Sequence, residues 1–290
     1  MDWKDVDERL IRRGGLILDL DFLEDYDKEL EAMNRGKEGR PFTLTHSHIR
    51  FLAVVRYLFD MPYRQLEGFA RALHRLVPRL PSGDYSGLRR RILGLDLAPY
   101  EHLREVDEPI AIAVDSTGIK VHRVGGWVER KHGKRNRYVK VHFAVNVETG
   151  EVVAMEVTTD DAHDSTALAS LVKQSEEQGR VVRLYGDGAY DSSEIYEALA
   201  SRGIEAVIKP RGSSRPDTPS PARRRVVKEY LSLGHNAWAG LKGYGKRWMV
   251  ETVYSTFKRA FGEHCVARTF RNIVKELVAK ATIYNMLVNL

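Results

Sequence analysis

The chain has 290 residues, 43% hydrophobic and 30% charged, with a net charge of +6 and a pI near 9.3. That is globular composition, enough for one large domain or two smaller ones, and no run of about 18 apolar residues exists to span a membrane. The acidic N-terminus lacks the apolar segment of a signal peptide, and a lone cysteine, Cys265, excludes an intrachain disulfide and a cysteine-based zinc site, so a reducing, intracellular setting is expected.

Residues 1–40 carry 8 Lys/Arg against 12 Asp/Glu. Within this acidic segment Phe22–Met33 reads as a short helix, ended by Gly36, Gly39 and Pro41. From Thr45 to Phe59 the apolar residues Ile49, Leu52, Ala53, Val55 and Leu58 recur at helical spacing. Pro62 opens a second helix at its first position, over Tyr63–Leu76, with Leu66, Phe69, Ala70, Leu73 and Leu76 in the same period. Pro78, Pro81 and Gly83 force a turn, and Asp84 caps a third helix over Tyr85–Leu93. Three helices with a sharp turn before the last resemble a helix-turn-helix DNA-binding unit; a plain three-helix bundle is the other reading. The third helix carries Arg89-Arg90-Arg91. Neighbours on a helix point about 100° apart, so one or two of these can reach DNA phosphates. Residues 41–104 hold 10 Arg, no Lys and 5 acids, a balance that leans toward DNA.

The character changes at Pro109. Ile110–Asp115 is a short apolar run ending in an acid, read as a buried strand. A second strand is predicted over Ile119–Val124 before a Gly125-Gly126 turn, and a third over Tyr138–Val147. Glu148-Thr149-Gly150 turns the chain into Glu151–Thr158. A helix over Ser165–Gln178, capped by Asp164, leads to the strand Val181–Tyr185 and to Gly186-Asp187-Gly188. A helix over Ser192–Ser201 and a strand over Glu205–Lys209 follow. This order predicts an α/β fold with a mixed sheet and flanking helices. Residues 210–222 read as a loop, helix resumes near Trp238, and a last helix starts at Asn272. Residues 209–250 hold 10 Lys/Arg against 2 Asp/Glu, the composition of a polyanion-binding segment or of a solvated basic loop.

Three acids carry the chemistry. Asp115 and Asp187 are each predicted at a strand end, and Glu251 lies on a later helix. The first and fourth strands of such a sheet are commonly neighbours, which would set Asp115 beside Asp187, with a helix across that edge delivering Glu251. Converging carboxylates repel unless divalent cations neutralise them. Hard oxygen ligands select Mg2+ or Mn2+, and two such ions can run an in-line phosphoryl transfer. On the same helix, Tyr244, Arg247, Glu251 and Lys258 fall within an arc of about 60° at about 100° per residue. Alone, that face reads as a surface salt-bridge ladder.

Together these residues resemble the DDE transposases of insertion sequences, on an RNase H-like fold. The chain is most similar to the insertion-sequence four/five group, marked by Tyr-x2-Arg-x3-Glu-x6-Lys. Tyr244, Arg247, Glu251 and Lys258 match without a gap. The block Ala113-Val-Asp115-Ser-Thr117 is similar to the family's first-acid segment, Tyr185-Gly-Asp187-Gly-Ala-Tyr190 to its second, and Met61-Pro-Tyr63-Arg-Gln-Leu-Glu67-Gly-Phe69 to the opening of its helix-turn-helix. The similarity runs from about residue 41 to the end.

The resemblance implies a transposase that binds the terminal inverted repeats of its element as double-stranded DNA. It would cleave there with two Mg2+ or Mn2+ ions and join the freed 3′-OH to target DNA. Asp115 would bridge both ions, and Asp187 and Glu251 would each complete one shell. Arg247 and Lys258 would hold phosphates near the scissile bond, and Tyr244 would meet the backbone of the transposon end. Lys140, Arg89, Arg90, Arg223 and Arg224 are further candidate DNA contacts, the last two within a short basic insertion at about 210–240. His142 reads as a half-buried strand histidine, and His163 as part of a helix-capping loop. The implied domains are an acidic helical segment (1–40), a helix-turn-helix-like domain (41–104) and an RNase H-like catalytic domain (105–290). A homodimer in the synaptic complex and a cytoplasmic, nucleoid-associated location in a prokaryote are expected. An inactive transposon-derived DNA-binding protein and a structure-specific RNase H-like nuclease are the alternatives.

Overall fold

The computed structural model describes residues 3–103, 109–121 and 138–290. The chain divides into two units, Met1–Ala98 with Lys275–Val288 and Leu290, and Pro99–Val274 with Asn289.

The first unit is helical: α1 (Trp3–Gly15), α2 (Tyr26–Asn34), α3 (His46–Leu58), α4 (Tyr63–Leu76) and α5 (Tyr85–Leu93). Local chemistry sets several ends. The Thr45 side chain accepts the His48 N–H at the start of α3, and Asp84 accepts the Ser86 and Gly87 N–H groups at the start of α5. Pro62 occupies the N-cap of α4 rather than its first helical position. Ile49, Leu52, Leu66, Leu80 and Leu88 are buried between the helices. The acidic segment joins this core, because Tyr26 is buried and donates to the Thr43 carbonyl at 3.0 Å, while Glu29 accepts the Ser47 N–H at 3.0 Å. Two further features differ from the sequence reading. Residues 21–23 form a separate 3-10 turn, so α2 starts at Tyr26. Helix α1 is absent from that reading, and its Trp3, Leu10 and Ile11 are exposed.

The second unit is built on a six-stranded sheet. Its strands are β1 (Ile110–Val121), β2 (Tyr138–Asn146), β3 (Val152–Thr159), β4 (Val181–Gly186), β5 (Glu205–Ile208) and β6 (His264–Cys265). The order is β3-β2-β1-β4-β5, with β6 beside the far end of β1. The first three strands form an antiparallel meander, and β4 and β5 run parallel to β1. Helices α6 (Asp164–Gln178) and α7 (Ser193–Ser201) make the crossovers. Ile112, Val114, Leu171, Leu184 and Leu199 form the core on their side. Side chains alternate across a strand, so Phe143 faces the other way from Ala144 and packs against Tyr254 and Phe257 of α9 (Trp248–Phe261). Before α9 comes α8 (Pro221–Lys242), and after it α10 (Phe270–Asn289), of which Lys275–Val288 counts with the first unit. This is the mixed, helix-flanked RNase H-like α/β architecture that the sequence predicts. No helix among the described residues is long and apolar enough to cross a membrane.

Three local expectations are corrected. The strands predicted to end at Asp115 and to restart at Ile119 are one 12-residue strand. Continuous pairing with β2, from Ile112↔Asn146 to Lys120↔Tyr138, keeps Ser116-Thr-Gly118 extended. The Gly125-Gly126 turn lies outside the described residues. Helix α6 has His163, not Asp164, at its N-cap, without a side-chain cap bond. The loop predicted over 210–222 ends at Ser220, and helix resumes at Pro221 under a Ser220 cap rather than near Trp238. Gly234, at φ +73°, breaks α8 midway.

Candidate active site

The register of the sheet sets the two aspartates. Ala113 of β1 pairs with Tyr185 of β4. Asp115 and Asp187, each two residues further on, therefore stand level on strand paths about 4.8 Å apart. Asp187 follows β4 directly and caps the 3-10 turn Gly188–Tyr190, its carboxylate accepting the Ala189 N–H at 2.8 Å. Glu251 comes from the first turn of α9, a helix fixed by its buried face of Val250, Val253, Tyr254 and Phe257.

Arg247 ties the acids together. Its guanidinium lies 2.6 Å from the Glu251 carboxylate and 3.9 Å from that of Asp115. Burial pushes the Asp115 carboxyl up to about 6; the Ser116 N–H and Arg247 act against this, while Asp187 and Glu251 add to it. All three acids and the arginine thus share one electrostatic neighbourhood.

Tyr244 is not on the helix of Glu251. Gly243, at φ +61° and ψ 34°, turns the chain into a 3-10 segment, Tyr244–Arg247, and α9 begins at Trp248. The single four-residue helical face read from the spacing is therefore split. Tyr244 still reaches the site, because its hydroxyl donates to the Gly186 carbonyl at 3.3 Å, next to Asp187. Its ring lies 5.2 Å from that of Trp238, which is fully buried. Burial pushes the Tyr244 hydroxyl up to about 12. Lys258 lies seven residues beyond Glu251 on α9 and is half-buried.

The other candidates sit elsewhere. Lys140 donates to the Ala162 carbonyl at 2.8 Å. His142 is fully buried on β2 and bonded to the Thr158 hydroxyl at 2.8 Å. Arg89 and Arg90 are exposed on α5, whereas Arg91 lies over the Phe42 ring and donates to the Leu44 carbonyl. Arg223 and Arg224 turn to their own chain. Arg223 grips Asp191 with two bonds, at 2.7 and 3.0 Å, and Arg224 donates to the Thr218 carbonyl at 3.0 Å.

Two residues that sequence reasoning passed over serve this region. Asp191 is a buried node that accepts from Arg223, the Arg211 N–H and Ser214. Arg211 in turn donates to the Gly188 carbonyl at 2.7 Å, so the insertion clasps the turn that follows Asp187. Tyr254, one helical turn past Glu251, sends its hydroxyl to the backbone of β1 and β2. No sequence signal marks Tyr254, but Asp191, in the same Gly-Ala-Tyr-Asp turn as Asp187, sits inside a motif already singled out.

Among the described residues no three His, Cys, Asp or Glu side chains gather closely enough to hold a metal ion. The donor chemistry nevertheless suits a hard divalent cation. Three carboxylates against one guanidinium leave two negative charges, and burial, with smaller contributions from Asp187 and Glu251, disfavours the charged Asp115 carboxylate, a cost that a cation would relieve.

A family model described as a transposase DDE domain matches residues 107–286, well over half of the chain, and a second of the same description matches residues 11–124. The chain belongs to the DDE transposase family and is an enzyme of that class, whose domains generally use divalent metal ions. Among solved structures it is similar to the piggyBac transposase synaptic complex with hairpin DNA, at 10% identity and a TM-score of 0.37, covering 95% of this chain and 73% of that one. It is also similar to a chain of the simian T-cell lymphotropic virus intasome in complex with PP2A regulatory subunit B56 gamma, at 16% identity and a TM-score of 0.27, covering 69% and 68%.

Proposed function

We propose that this transposase binds the terminal inverted repeats of its element as double-stranded DNA, cleaves a strand there, and transfers the 3′-OH to target DNA. The observation that carries this reading is Asp115 on β1 and Asp187 just past the end of the neighbouring β4, with Glu251 joined to Asp115 through Arg247. Asp115, Asp187 and Glu251 hold the metal, with Mg2+ or Mn2+ as a pair of ions. When bound, such ions activate the attacking oxygen and stabilise the leaving one.

Arg247 offsets part of the charge of Asp115 and Glu251 before DNA arrives, and its guanidinium suits a phosphate once the acids take another cation. Lys258 grips the backbone further along α9, and Lys140 does so beside β1. Tyr244, braced on Trp238, lines the path of the transposon end. Arg89 and Arg90 project from α5 and make the helical unit a DNA-binding module. Arg223 and Arg224 shape the insertion instead of gripping DNA, since both are bonded within it. Synapsis of two ends requires a homodimer on DNA.

The test uses the purified full chain and a labelled duplex from the boundary of the element that encodes it. The wild type nicks at the element end with Mg2+ and not with EDTA. Asp115→Ala, Asp187→Ala and Glu251→Ala each bind the duplex and lose cleavage by at least about 100-fold. Wild-type cleavage by any of the three would overturn the assignment of that acid.

A further inference from the structure

We infer that Tyr254 is a positioning residue for the active site, one that aims the Asp115 carboxylate and fixes the Glu251 helix to it; the inference rests on the roles proposed above for those two acids. The Tyr254 hydroxyl lies 2.7 Å from the Asp115 carbonyl and 3.0 Å from the Val141 carbonyl, and it accepts the Phe143 N–H at 2.9 Å. Its one hydrogen serves one carbonyl at a time, and its lone pairs take the Phe143 donor. The hydroxyl thus touches both strands where Asp115 is registered opposite Phe143.

The consequence follows from the planarity of the peptide. The Asp115 carbonyl and the Ser116 N–H are two ends of one rigid plane. Tyr254 holds the carbonyl end. The N–H end donates to the Asp115 carboxylate at 2.8 Å. A hydroxyl from α9 therefore sets the tilt of the plane that orients the first acid.

The same helix sets the third acid. Residues three apart on a helix are neighbours on its surface, so pinning Tyr254 also pins the turn that carries Glu251. The anchor is rigid, because the Tyr254 ring stacks on Phe143 at 4.9 Å and 14°, and Phe143 is fully buried. Phenylalanine at this position keeps that stack and removes only the hydroxyl.

The experiment compares wild type, Tyr254→Phe, Phe257→Leu and Asp115→Ala as full chains. Phe257→Leu loosens the same helix one turn on, against the same Phe143 ring, and leaves the hydroxyl in place. Four quantities are read: affinity for the labelled element end, single-turnover cleavage per DNA-bound molecule, the Mg2+ concentration at half-maximal cleavage, and the rise in melting temperature on adding Mg2+. Scaling to bound molecules keeps a partly unfolded sample from imitating a slow enzyme. In Tyr254→Phe the expected result is end binding within twofold of wild type, cleavage at least tenfold slower, an Mg2+ midpoint several-fold higher, and a smaller Mg2+-induced rise in melting temperature. Phe257→Leu should melt lower and keep its Mg2+ midpoint. The inference is overturned if Tyr254→Phe keeps the wild-type rate and midpoint, or if Phe257→Leu shifts the midpoint equally. Wild-type cleavage by Asp115→Ala would instead sink the assignment of the site, and this inference with it.

Discussion

Single side chains in this protein work through what buries them. Asp191 has no exposed side-chain surface and Arg223 only 15%. Burial pushes the Asp191 carboxyl up, but its bonds to Arg223, the Arg211 N–H and Ser214 outweigh that and hold it below the usual carboxylate range. Removing one partner of such a pair strands the other, at about 3–5 kcal/mol. Asp191→Ala should lower unfolding stability by about that amount in a urea titration, whereas a double change with Arg223→Met should lose less. His48 gives a pH dependence. It is buried against Phe22, its Nε2 has no partner among the described residues, and burial pushes its pKa down to about 4. The unfolded chain takes up this proton near pH 6.5. Stability from the neutral ring is therefore complete above pH 6.5, falls as pH drops toward 4, and levels off below, an effect of about 3 kcal/mol. Urea midpoints measured across that range should show the fall, and His48→Gln should flatten it.

Elements show where local rules suffice and where they do not. Helices α3, α4 and α5 begin and end where capping side chains, proline and apolar spacing put them. The start of α8 was also readable, since Ser220-Pro221 is a cap followed by a first-position proline, but the surrounding Pro, Ser and Arg disguised it. Its break at Gly234 is a backbone matter. That residue holds φ +73°, and an added Cβ would meet nothing within 4 Å, so only conformation is at stake. Gly234→Ala should cost about 1–3 kcal/mol, read as a lower melting temperature, or else straighten α8. Circular dichroism separates these outcomes, because straightening raises the helical signal. The insertion uses that bent helix to bring Trp238 under Tyr244, a contact that no spacing within the sequence encodes.

At the scale of the whole molecule, charge is unevenly distributed. The first 40 residues are acidic, and the segment from 209 to 250 is basic. Binding of the element end should weaken linearly in log–log plots against salt, and Arg89→Ala with Arg90→Ala should lower that slope by about one for each phosphate no longer neutralised. A fluorescence titration from low to moderate salt checks this, and an unchanged slope would remove α5 from the interface. Membership of the DDE transposase family was legible in the sequence, because the motifs that carry it depend on residue type and on spacing along one chain. The α/β class was legible too, because the alternation of strands and helices is written locally. What only the tertiary structure decided is where each acid sits. Asp115 lies inside a long strand because β2 pairs past it, and it stands level with Asp187 because Ala113 registers with Tyr185. Tyr244 leaves the helix of Glu251 because Gly243 turns left-handed, and Tyr254 reaches Asp115 across 139 residues of sequence. Register, burial and long-range hydrogen bonds join residues far apart in the chain, and periodicity along the chain carries no record of them.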